Sequence, residues 1–433
     1  MDEELDDIVL VTVDSLRADH CGFMGCEKPT TPTLDTFAED GLVFENAIAP
    51  GPSTSESVPA ILTGHYPVPR PNSQTTIDER IDQIAPHMEA RTNLAQRMSS
   101  LGYRTAAFTP NPFTSRYFGY GNGFDKYQDF LDGSRNKLYE RFLKGTFSGS
   151  RLYMPVRIMM NWFQREEAFK PWSDFYNEII EWTNQSDEPY FIWIFLMDAH
   201  HPYLPSEDHR SISKPDLYYA NWKLRYKNYE PPLGKRAHQN LVQSYCDSIK
   251  YVDEFVDRIT RDLADDDPTI IFTSDHGESF GEHGTYEHHG GAFGQNGEQE
   301  YHSYLYEENI HVPLLIINSK RAGRVEEPVS LRSLSKIVVD EAVGRNETAY
   351  GEKFVTSQSM NGEKIAVRGR RYKYIQTNQG SKLYDLQKGE DAEIDNDVLH
   401  EQLARIAAIS TQTDKESTDI VKAGFDVASK SDL

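Results

Sequence analysis

Three runs of consecutive β-branched and aromatic residues limit the folds open to this chain more than any other feature. They cover residues 7–13, 190–197 and 269–273. Runs without polar alternation are typical of strands buried on both faces of a parallel sheet. An amphipathic helix is predicted over 241–263, directly before the third run, and residues 93–108 predict another helix followed by a strand. Further strands are predicted at 41–47 and 311–317. We therefore predict a mostly parallel, doubly wound α/β sheet flanked by helices.

Each of the three predicted strands ends in polar residues. Asp14 follows the first, His200 comes shortly after the second, and Asp275 and His276 follow the third. Ligands of open α/β sheets bind at the carboxyl ends of strands, so these side chains can share one crevice. A carboxylate beside an imidazole suits zinc or manganese better than an all-oxygen calcium cage, and Gly277 lets the backbone turn after the pair. The alternative is a strand end closed by an Asx-turn, with solvated histidines.

A cluster of hydroxyl groups lies between the first two of these strands. Residues 53–57 contain four hydroxyls in front of a short predicted helix that Gly64 would end. The amide groups and dipole at a helix start favour an anion, and a hydroxyl there could attack it as a nucleophile. Ordinary helix capping by serine and threonine is the alternative.

The charge of the chain restricts its partners. The 433 residues include 68 Asp and Glu against 45 Lys and Arg, a formal net charge of −23. Such a surface repels nucleic acid and anionic membranes, and it keeps a protein soluble at high salt, which predicts a halophilic source. An ordinary acidic cytosolic protein is the alternative. The acidic N-terminus, three cysteines without a pairing pattern and the lack of a long apolar stretch predict a cytoplasmic protein with no transmembrane segment.

The predicted domain organisation follows the changes in pattern. Residues 1–350 form the catalytic α/β domain, and about 136–171 interrupt its alternation as a cap or insertion. Residues 351–410 show alternating runs separated by turns, which predicts a small α+β domain with antiparallel strands. The polar residues 411–433 are predicted to form a flexible tail.

Several motifs together resemble the sulfatase family of the alkaline phosphatase superfamily, in the family's order and over most of the chain. They are residues 13–20, 31–35, 62–67, 198–203, 274–278 with 281–284, 305–308, and 372–374 with 383–386. The resemblance implies an alkaline-phosphatase-like fold and one divalent metal, which we expect to be Mn, Zn or Ca, with His276 favouring Mn or Zn.

The resemblance places the family's nucleophile at Thr54. Most sulfatases carry there a Cys or Ser followed by Pro and Arg, and convert it to formylglycine. Glu56 and Val58 stand where Pro and Arg would be, so formylglycine is not expected. Ser15 replaces a frequent second Asp, and His276 replaces the usual Asn. The set looks more like the threonine-nucleophile phosphoglycol and phosphoethanolamine transferases of the superfamily.

The site residues that the resemblance implies fall into three groups. The predicted metal ligands are Asp14, Thr54, Asp275 and His276. The predicted catalytic residues are Thr54, His200 and His302. The predicted substrate-binding residues are Arg17, Ser57 and His283. Two alternatives remain open: Ser53 or Ser55 could replace Thr54 as the nucleophile, and His283, His288 and His289 could form a second site or be solvated.

The predicted function is hydrolysis or transfer of a sulfo group on carbohydrate or glycan sulfate esters, as in glycan biosynthesis, through a Thr nucleophile. A phosphodiesterase or a phosphoryl-group transferase is the second hypothesis, and a non-catalytic binding protein is the third. The expected partner is a sulfated or phosphorylated small molecule or glycan, with no nucleic acid. The sequence does not predict an oligomeric state.

Overall fold

The computed structural model describes residues 5–69, 77–130, 170–226, 233–288, 292–293, 299–300, 304–345 and 349–430. Its strands are β1 (Ile8–Val13), β2 (Leu42–Phe44), β3 (Ala47–Ile48), β4 (Arg104–Phe108), β5 (Lys126–Gln128), β6 (Tyr190–Leu196), β7 (Thr269–Ser274), β8 (Ala292–Phe293), β9 (Gln299–Glu300), β10 (His311–Val312), β11 (Leu314–Ile317), β12 (Gly323–Val325), β13 (Val329–Ser330), β14 (Phe354–Gln358), β15 (Ile365–Gly369), β16 (Tyr372–Thr377) and β17 (Gly380–Asp385).

Its α-helices are α1 (Pro32–Asp40), α2 (Thr54–Thr63), α3 (Ile77–Glu89), α4 (Leu94–Ser100), α5 (Tyr176–Thr183), α6 (Lys214–Tyr226), α7 (Lys235–Asp262), α8 (Glu307–Ile310), α9 (Leu334–Ala342) and α10 (Asp397–Lys430). Short 3₁₀ helices cover Ala18–His20, Gly22–Met24, Pro112–Thr114, Arg116–Phe118, Trp172–Asp174, Glu282–Gly284 and Leu331–Ser333. No helix in these described ranges is both long enough and apolar enough to cross a bilayer.

An eight-stranded sheet in the order β12-β2-β11-β7-β1-β6-β4-β5 forms the centre of the fold. Every neighbouring pair is parallel except the two that involve β11, which runs opposite to β7 and β2. The prediction of a mostly parallel sheet is therefore confirmed. Strands β6, β1 and β7 are adjacent and in register, with Val13 opposite both Leu196 and Ser274. The polar residues that follow these strands consequently meet at one edge of the sheet.

Both faces of the sheet are buried, as its apolar strands require. Along β1, Ile8 and Leu10 belong to one apolar cluster, and Val9 and Val11 belong to the other. Helices α2, α3, α4 and α9 cover the first face, while α1, α5 and α7 cover the second. Each fully buried side chain of this kind contributes about 1.5–3 kcal/mol relative to an exposed one. The doubly wound arrangement thus follows from strands that are apolar on both sides.

Proline divides the last apolar run of the large domain. The sequence predicted one strand over 311–317, but Pro313 has no N–H group to donate and separates β10 from β11. Strand β10 pairs with β3, whereas β11 pairs with β2 and β7. The predicted strand at 41–47 is also divided, without a proline, into β2 and β3. The chain therefore changes sheets at this point.

The C-terminal strands form a separate antiparallel sheet in the order β14-β15-β16-β17, as predicted. Leu403 and Ala407 of α10 pack on Val367 and Tyr374 of this sheet. On its other side the sheet contributes Val355 to the same apolar cluster as β1. The domain boundary at residue 350 stays a prediction, because the small sheet shares this core.

The polar residues after 410 begin as a helix, and the flexibility predicted for residues 411–433 stays a prediction. Residues 411–430 continue α10 and are not an irregular segment. Asp414 accepts a hydrogen bond from the Arg332 guanidinium at 2.8 Å, so the helix is tied to the main body about two turns beyond the buried Ala407. The sequence did not reveal this contact because the residues are polar and the partner is distant along the chain. The predicted cap at 136–171 lies almost wholly outside the described residues.

We expect the Asp7→Asn variant to be more stable than the parent at pH 7. Burial raises the pKa of Asp7 from 3.8 to about 6, against the stabilising N–H donated by Tyr190. Because the folded pKa is the higher one, the free energy of unfolding falls as the pH rises from about 4 through about 6. The amide keeps an acceptor for Tyr190 and carries no charge. After discounting for solvent screening, the expected gain at pH 7 is about 1 kcal/mol.

Denaturant unfolding at pH 4 and pH 7 measures this gain, which should be absent at pH 4. The exposed Asp40→Asn serves as the control and should behave as the parent at both pH values. Equal gains of Asp7→Asn at both pH values would show that its carboxylate is not the cause.

Candidate metal and nucleophile site

Asp14 and Asp275 lie side by side where β1 and β7 end. The ladder continues one residue beyond each strand, with the Asp14 N–H donating to Leu196 O at 2.8 Å and the Asp275 N–H to Val13 O at 3.3 Å. Both carboxylates are completely buried. Parallel pairing in register therefore forces two acidic side chains into one small volume.

His276 completes a group of three potential metal ligands. One ligand atom each from Asp14, Asp275 and His276 lies within 4.8 Å of the others. The Nε2 atom of His276 is 3.5 Å from Asp14 Oδ1 and 3.5 Å from Asp275 Oδ2. Its Nδ1–H donates to Gly277 O at 2.8 Å, which orients the ring and leaves the Nε2 lone pair facing the carboxylates.

The chemistry of this group fits a divalent cation. Asp275 Oδ1 accepts hydrogen bonds from backbone N–H groups of Ser15 and His276, while its buried Oδ2 has no hydrogen-bond partner in the described part of the chain. Burial, and next the Asp14 carboxylate, raise the pKa of Asp275, and burial lowers the pKa of His276 to about 4. Two repelling carboxylates beside a neutral imidazole are the arrangement that a cation would stabilise. The nitrogen ligand favours zinc or manganese over calcium.

Gly277 is needed for a different reason from the one predicted. A Cβ atom at this position would lie 2.1 Å from Glu308 O, so only glycine allows the two backbones to meet. The Gly277 N–H donates to Asn309 O and the Glu278 N–H to Glu308 O, both at 2.8 Å. This contact holds the segment that follows the predicted metal ligands.

Thr54 is the first residue of α2, and its hydroxyl faces the carboxylates and the imidazole. The Oγ1 atom is 3.5 Å from Asp14 Oδ2 and 3.5 Å from His276 Nε2. Helix α2 is buried along its whole length and ends at Gly64 in the left-handed conformation, as predicted. The hydroxyl is therefore held by a rigid element at the predicted ligand group.

The other hydroxyls of the cluster have partners elsewhere. Ser53 is the N-cap residue of α2, but its side chain makes no capping bond and donates to Glu56 Oε2 at 2.9 Å. Ser55 Oγ accepts from Arg80 Nη1 at 3.1 Å. Ser57 Oγ donates to Asp275 O at 2.6 Å and so positions a predicted ligand, and substrate binding by Ser57 stays a prediction. Of the four, Thr54 is the hydroxyl that contacts both Asp14 and His276.

Asn111 is a site residue that the sequence analysis missed. Its Nδ2 donates to Asp14 Oδ2 at 2.7 Å and lies 3.4 Å from Thr54 Oγ1. Its Oδ1 accepts from the Phe113 N–H, which fixes the side chain at the start of a 3₁₀ helix. Asn111 follows β4 by three residues, so the polar residues after the predicted strand at 105–108 were the available signal.

We expect Asn111→Ala to lower kcat about 10²-fold while the bound metal remains, because an oriented amide is lost next to the reacting hydroxyl. Steady-state kinetics and metal analysis of the same preparation would show whether kcat falls while the metal content stays the same. Asn93→Ala removes another buried asparagine, one that caps α4, and should lower stability without this change in kcat. Equal losses of kcat in both variants would contradict a role for Asn111 at the site.

Two further histidines lie next to the ligand group. The His288 ring centroid is 4.3 Å from that of His276 and 5.2 Å from that of His200. His288 Nδ1 is 3.3 Å from the buried Glu278 carboxylate, which accepts a hydrogen bond from Tyr203 at 3.0 Å. The structure therefore brings His200 and His288 toward the site. His289 and the predicted catalytic His302 lie outside the described residues.

Arg17 and His283 have partners away from Thr54. The buried Arg17 guanidinium is bound to the exposed carboxylates of Asp19 at 2.6 Å and Glu282 at 2.8 Å. His283 stacks on Tyr306 with centroids 3.7 Å apart, and its Nδ1 lies 2.8 Å from Glu308 Oε1. These contacts hold the segment after the metal ligands, and substrate binding by either residue stays a prediction.

A family model described as Sulfatase matches residues 6–339, which include every described residue of the site. The chain belongs to the sulfatase family. An arylsulfatase from Clostridium perfringens (strain 13 / Type A) is 23% identical over 378 residues, 77% of this chain and 74% of that protein. The phosphatidylethanolamine transferase Mcr-1 from Escherichia coli is 21% identical over 295 residues, 65% of this chain but 44% of that protein.

The fold also resembles that of a protein whose structure has been solved. A protein crystallised with its substrate D-glucosamine-2-N,6-O-disulfate superposes with a TM-score of 0.64, at 14% identity, over 95% of this chain and 99% of that chain. At this identity the likeness shows the fold alone. This sulfatase-family chain thus has relatives among both hydrolases and transferases.

Proposed function

We propose that this sulfatase-family protein is a metal-dependent enzyme that takes a sulfo group from a carbohydrate sulfate ester onto Thr54 and passes it to water or to an acceptor hydroxyl. The observation that carries this proposal is the position of Thr54 Oγ1, 3.5 Å from both Asp14 Oδ2 and His276 Nε2. The choice of a sulfated carbohydrate is supported by family membership and by the disulfated glucosamine bound to the structural relative.

Asp14, Asp275 and His276, with the Thr54 oxygen, would hold one divalent cation. A bound cation lowers the pKa of a coordinated hydroxyl and offsets negative charge on a transferring group. The Asn111 amide keeps the Asp14 carboxylate turned toward Thr54 through its 2.7 Å hydrogen bond. Thr54 Oγ1 gives up its proton to solvent as it attacks sulfur, the bond from sulfur to the leaving oxygen breaks, and that oxygen takes a proton.

His200 is the proposed donor of that proton. It follows β6 at the same edge of the sheet, and its ring lies against His288, which packs on His276. A histidine side chain can act as a general acid or base in a group transfer. The same role for His302 remains a prediction.

A threonine ester has a consequence for turnover. A formylglycine hydrate releases sulfate by collapsing to an aldehyde, but the ester on Thr54 has no such route. An incoming oxygen must attack the sulfur, the bond to Thr54 Oγ1 breaks, and the hydroxyl is restored. Water as the incoming group gives hydrolysis, and a sugar hydroxyl gives transfer.

Phosphoryl transfer is the second candidate function. The specific observation that favours it is the pairing of Thr54 with His276, in place of a formylglycine precursor and an amide, at the same cluster. The similarity to the phosphatidylethanolamine transferase Mcr-1 supports this candidate. The same residues would act on phosphorus as they would on sulfur.

Turnover of three probes by metal-loaded protein separates these functions: an aryl sulfate, an aryl phosphate and a phosphodiester. The proposal expects the sulfate ester to be the best substrate, with the product analysed in the presence and absence of a sugar acceptor. Faster turnover of the aryl phosphate or the phosphodiester would support phosphoryl transfer in place of sulfo transfer. Lack of turnover of all three would favour a binding protein. The cytoplasmic location and the halophilic source remain proposals, and assays at low and high salt test the latter.

A further inference from the structure

A second concave site lies away from the metal ligands, between α6 and the start of α7. Its volume is about 690 Å³, within the range of small-molecule sites. The side chains that matter for its chemistry are Asp216, Tyr219 and Lys223 from α6, and Lys235 and Arg236 from α7. This set joins one aromatic ring with three cations and a single carboxylate.

The aromatic residue of this cavity is not used by the core. Helix α6 buries Leu217, Ala220 and Leu224, whereas Tyr219 is 46% exposed. The Tyr219 ring lies against Trp222, with centroids 6.2 Å apart and planes at 34°. An exposed flat ring beside cations can cover the apolar face of a sugar, because the C–H groups of a pyranose lose water against it.

The charge of the cavity is opposite to that of the chain as a whole. Arg236 is 77% exposed and makes one ion pair, with Asp216 at 2.7 Å, so most of its N–H donors remain available. Lys223 and Lys235 form no ion pair with another described residue. On a chain of net charge −23, a group with an excess of cations selects anions.

Helix α6 is also tied to the catalytic side of the sheet. On its inner face, Asn221 accepts a hydrogen bond from the Tyr203 N–H at 2.9 Å and donates to Tyr203 O at 3.2 Å. Tyr203 follows His200 by three residues and donates its hydroxyl to Glu278, which follows the ligand pair. Helix α6, which lines the cavity, therefore packs on the segment that follows His200.

We propose that this cavity binds an anionic oligosaccharide, with a sugar ring on Tyr219 and its sulfate or phosphate groups held by Lys223, Lys235 and Arg236. Arg236 offers paired N–H groups to two oxygens of one anionic group, and the lysines act as single charges. This binding goes beyond the proposed function because it needs no reaction at Thr54. The cavity would hold a chain of several sugar units while one sulfate ester of that chain reacts at the metal site.

The test is calorimetric titration of the full chain, metal-loaded and carrying Thr54→Ala to prevent turnover. The probes are a sulfated tetrasaccharide and its desulfated counterpart. We expect the sulfated probe to bind, Tyr219→Ala to raise its Kd about tenfold, and the double variant Lys223→Ala/Lys235→Ala to raise it by a similar factor with a weaker salt dependence.

The chain offers matched controls. Arg261 stands on the same helix as Arg236, about 38 Å away, and is likewise exposed and paired with one aspartate. Arg236→Ala should weaken binding, whereas Arg261→Ala should not. Tyr117, an exposed tyrosine outside the cavity, is the control for Tyr219. The melting temperature of each variant should match that of the parent, because the side chains of Arg236, Arg261, Tyr219 and Tyr117 are all at the surface.

Unchanged affinity in the Tyr219 and lysine variants would overturn the proposal, as would equal binding of the desulfated probe. Tighter binding of a single-stranded oligonucleotide would identify the cavity as a general polyanion site and also overturn it. If none of the three ester probes is turned over but the tetrasaccharide binds as expected, the proposed function is contradicted and the proposed binding site is still supported. Tyr219→Ala in the otherwise unchanged chain should leave turnover of a small ester at the parental rate.

Discussion

Replacing Thr54 with alanine is expected to lower turnover on the order of 10⁴-fold or more, because the reaction loses the atom that accepts the transferred group. The hydroxyl lies 3.5 Å from both Asp14 Oδ2 and His276 Nε2, at the start of a fully buried helix. Alanine fits the same helix position, so the fold should be kept. Single-turnover kinetics and the mass of the intact protein during turnover are the measurements, and the parent should gain one sulfo or phosphoryl group that the variant lacks.

Two controls identify the hydroxyl. Thr54→Ser keeps the oxygen and should retain most of the activity. Ser55→Ala removes the neighbouring hydroxyl, which accepts a hydrogen bond from Arg80, and should still form the covalent species. Undiminished turnover in Thr54→Ala, or a covalent group found on Ser53 or Ser55, would contradict the assignment of Thr54 as the nucleophile.

Asp275→Asn is expected to weaken metal binding at least about 10²-fold and to remove activity with it. For the metal-free protein we expect that Asp275→Asn does not lower stability. Asp14 and Asp275 are both fully buried, and burial together with Asp14 raises the pKa of Asp275. An amide there removes the repulsion and places an N–H near His276 Nε2, which is 3.5 Å from Asp275 Oδ2. The metal-free variant should therefore melt at or above the temperature of the metal-free parent.

Metal content by elemental analysis and melting curves with and without a chelator measure both effects. The parent should lose stability when the chelator removes its ion, and Asp275→Asn should not respond. Asp253→Asn is the matched control, since Asp253 is also a buried carboxylate that accepts two backbone N–H groups, at Thr33 and Leu34. Full metal content in Asp275→Asn would show that the cluster is not the metal site.

The large sheet could be predicted because its signal is local. Residues 7–13, 190–197 and 269–273 are apolar on both sides, and such strands are stable only between two layers of helices. The strand β11 was predicted but not its reversed direction, which depends on pairing with β2 and β7 far along the chain. The helix after residue 411 was missed because its anchor is one ion pair with Arg332 rather than an apolar stripe.

The candidate site was predicted in part for the same reason. Residues that end adjacent strands must meet, so Asp14, Asp275 and His276 were expected together. Asn111 was missed because a polar residue after an edge strand is ordinary, and the local sequence does not show where its amide points. The ion pair of Arg17 with Glu282, which is distant along the chain, could not be predicted from the sequence either.

By itself the sequence determined the sheet, the edge at which its polar residues collect, and the family to which the chain belongs. These depend on hydrophobic pattern and on motifs, which are properties of short segments. Only the tertiary structure decided which hydroxyl of residues 53–57 faces the ligands, since Thr54 and His276 are 222 positions apart. It also decided that Gly277 is required by the close approach of Glu308 O. Both are decided by packing between distant segments, where shifts of about one ångström separate a contact from a clash.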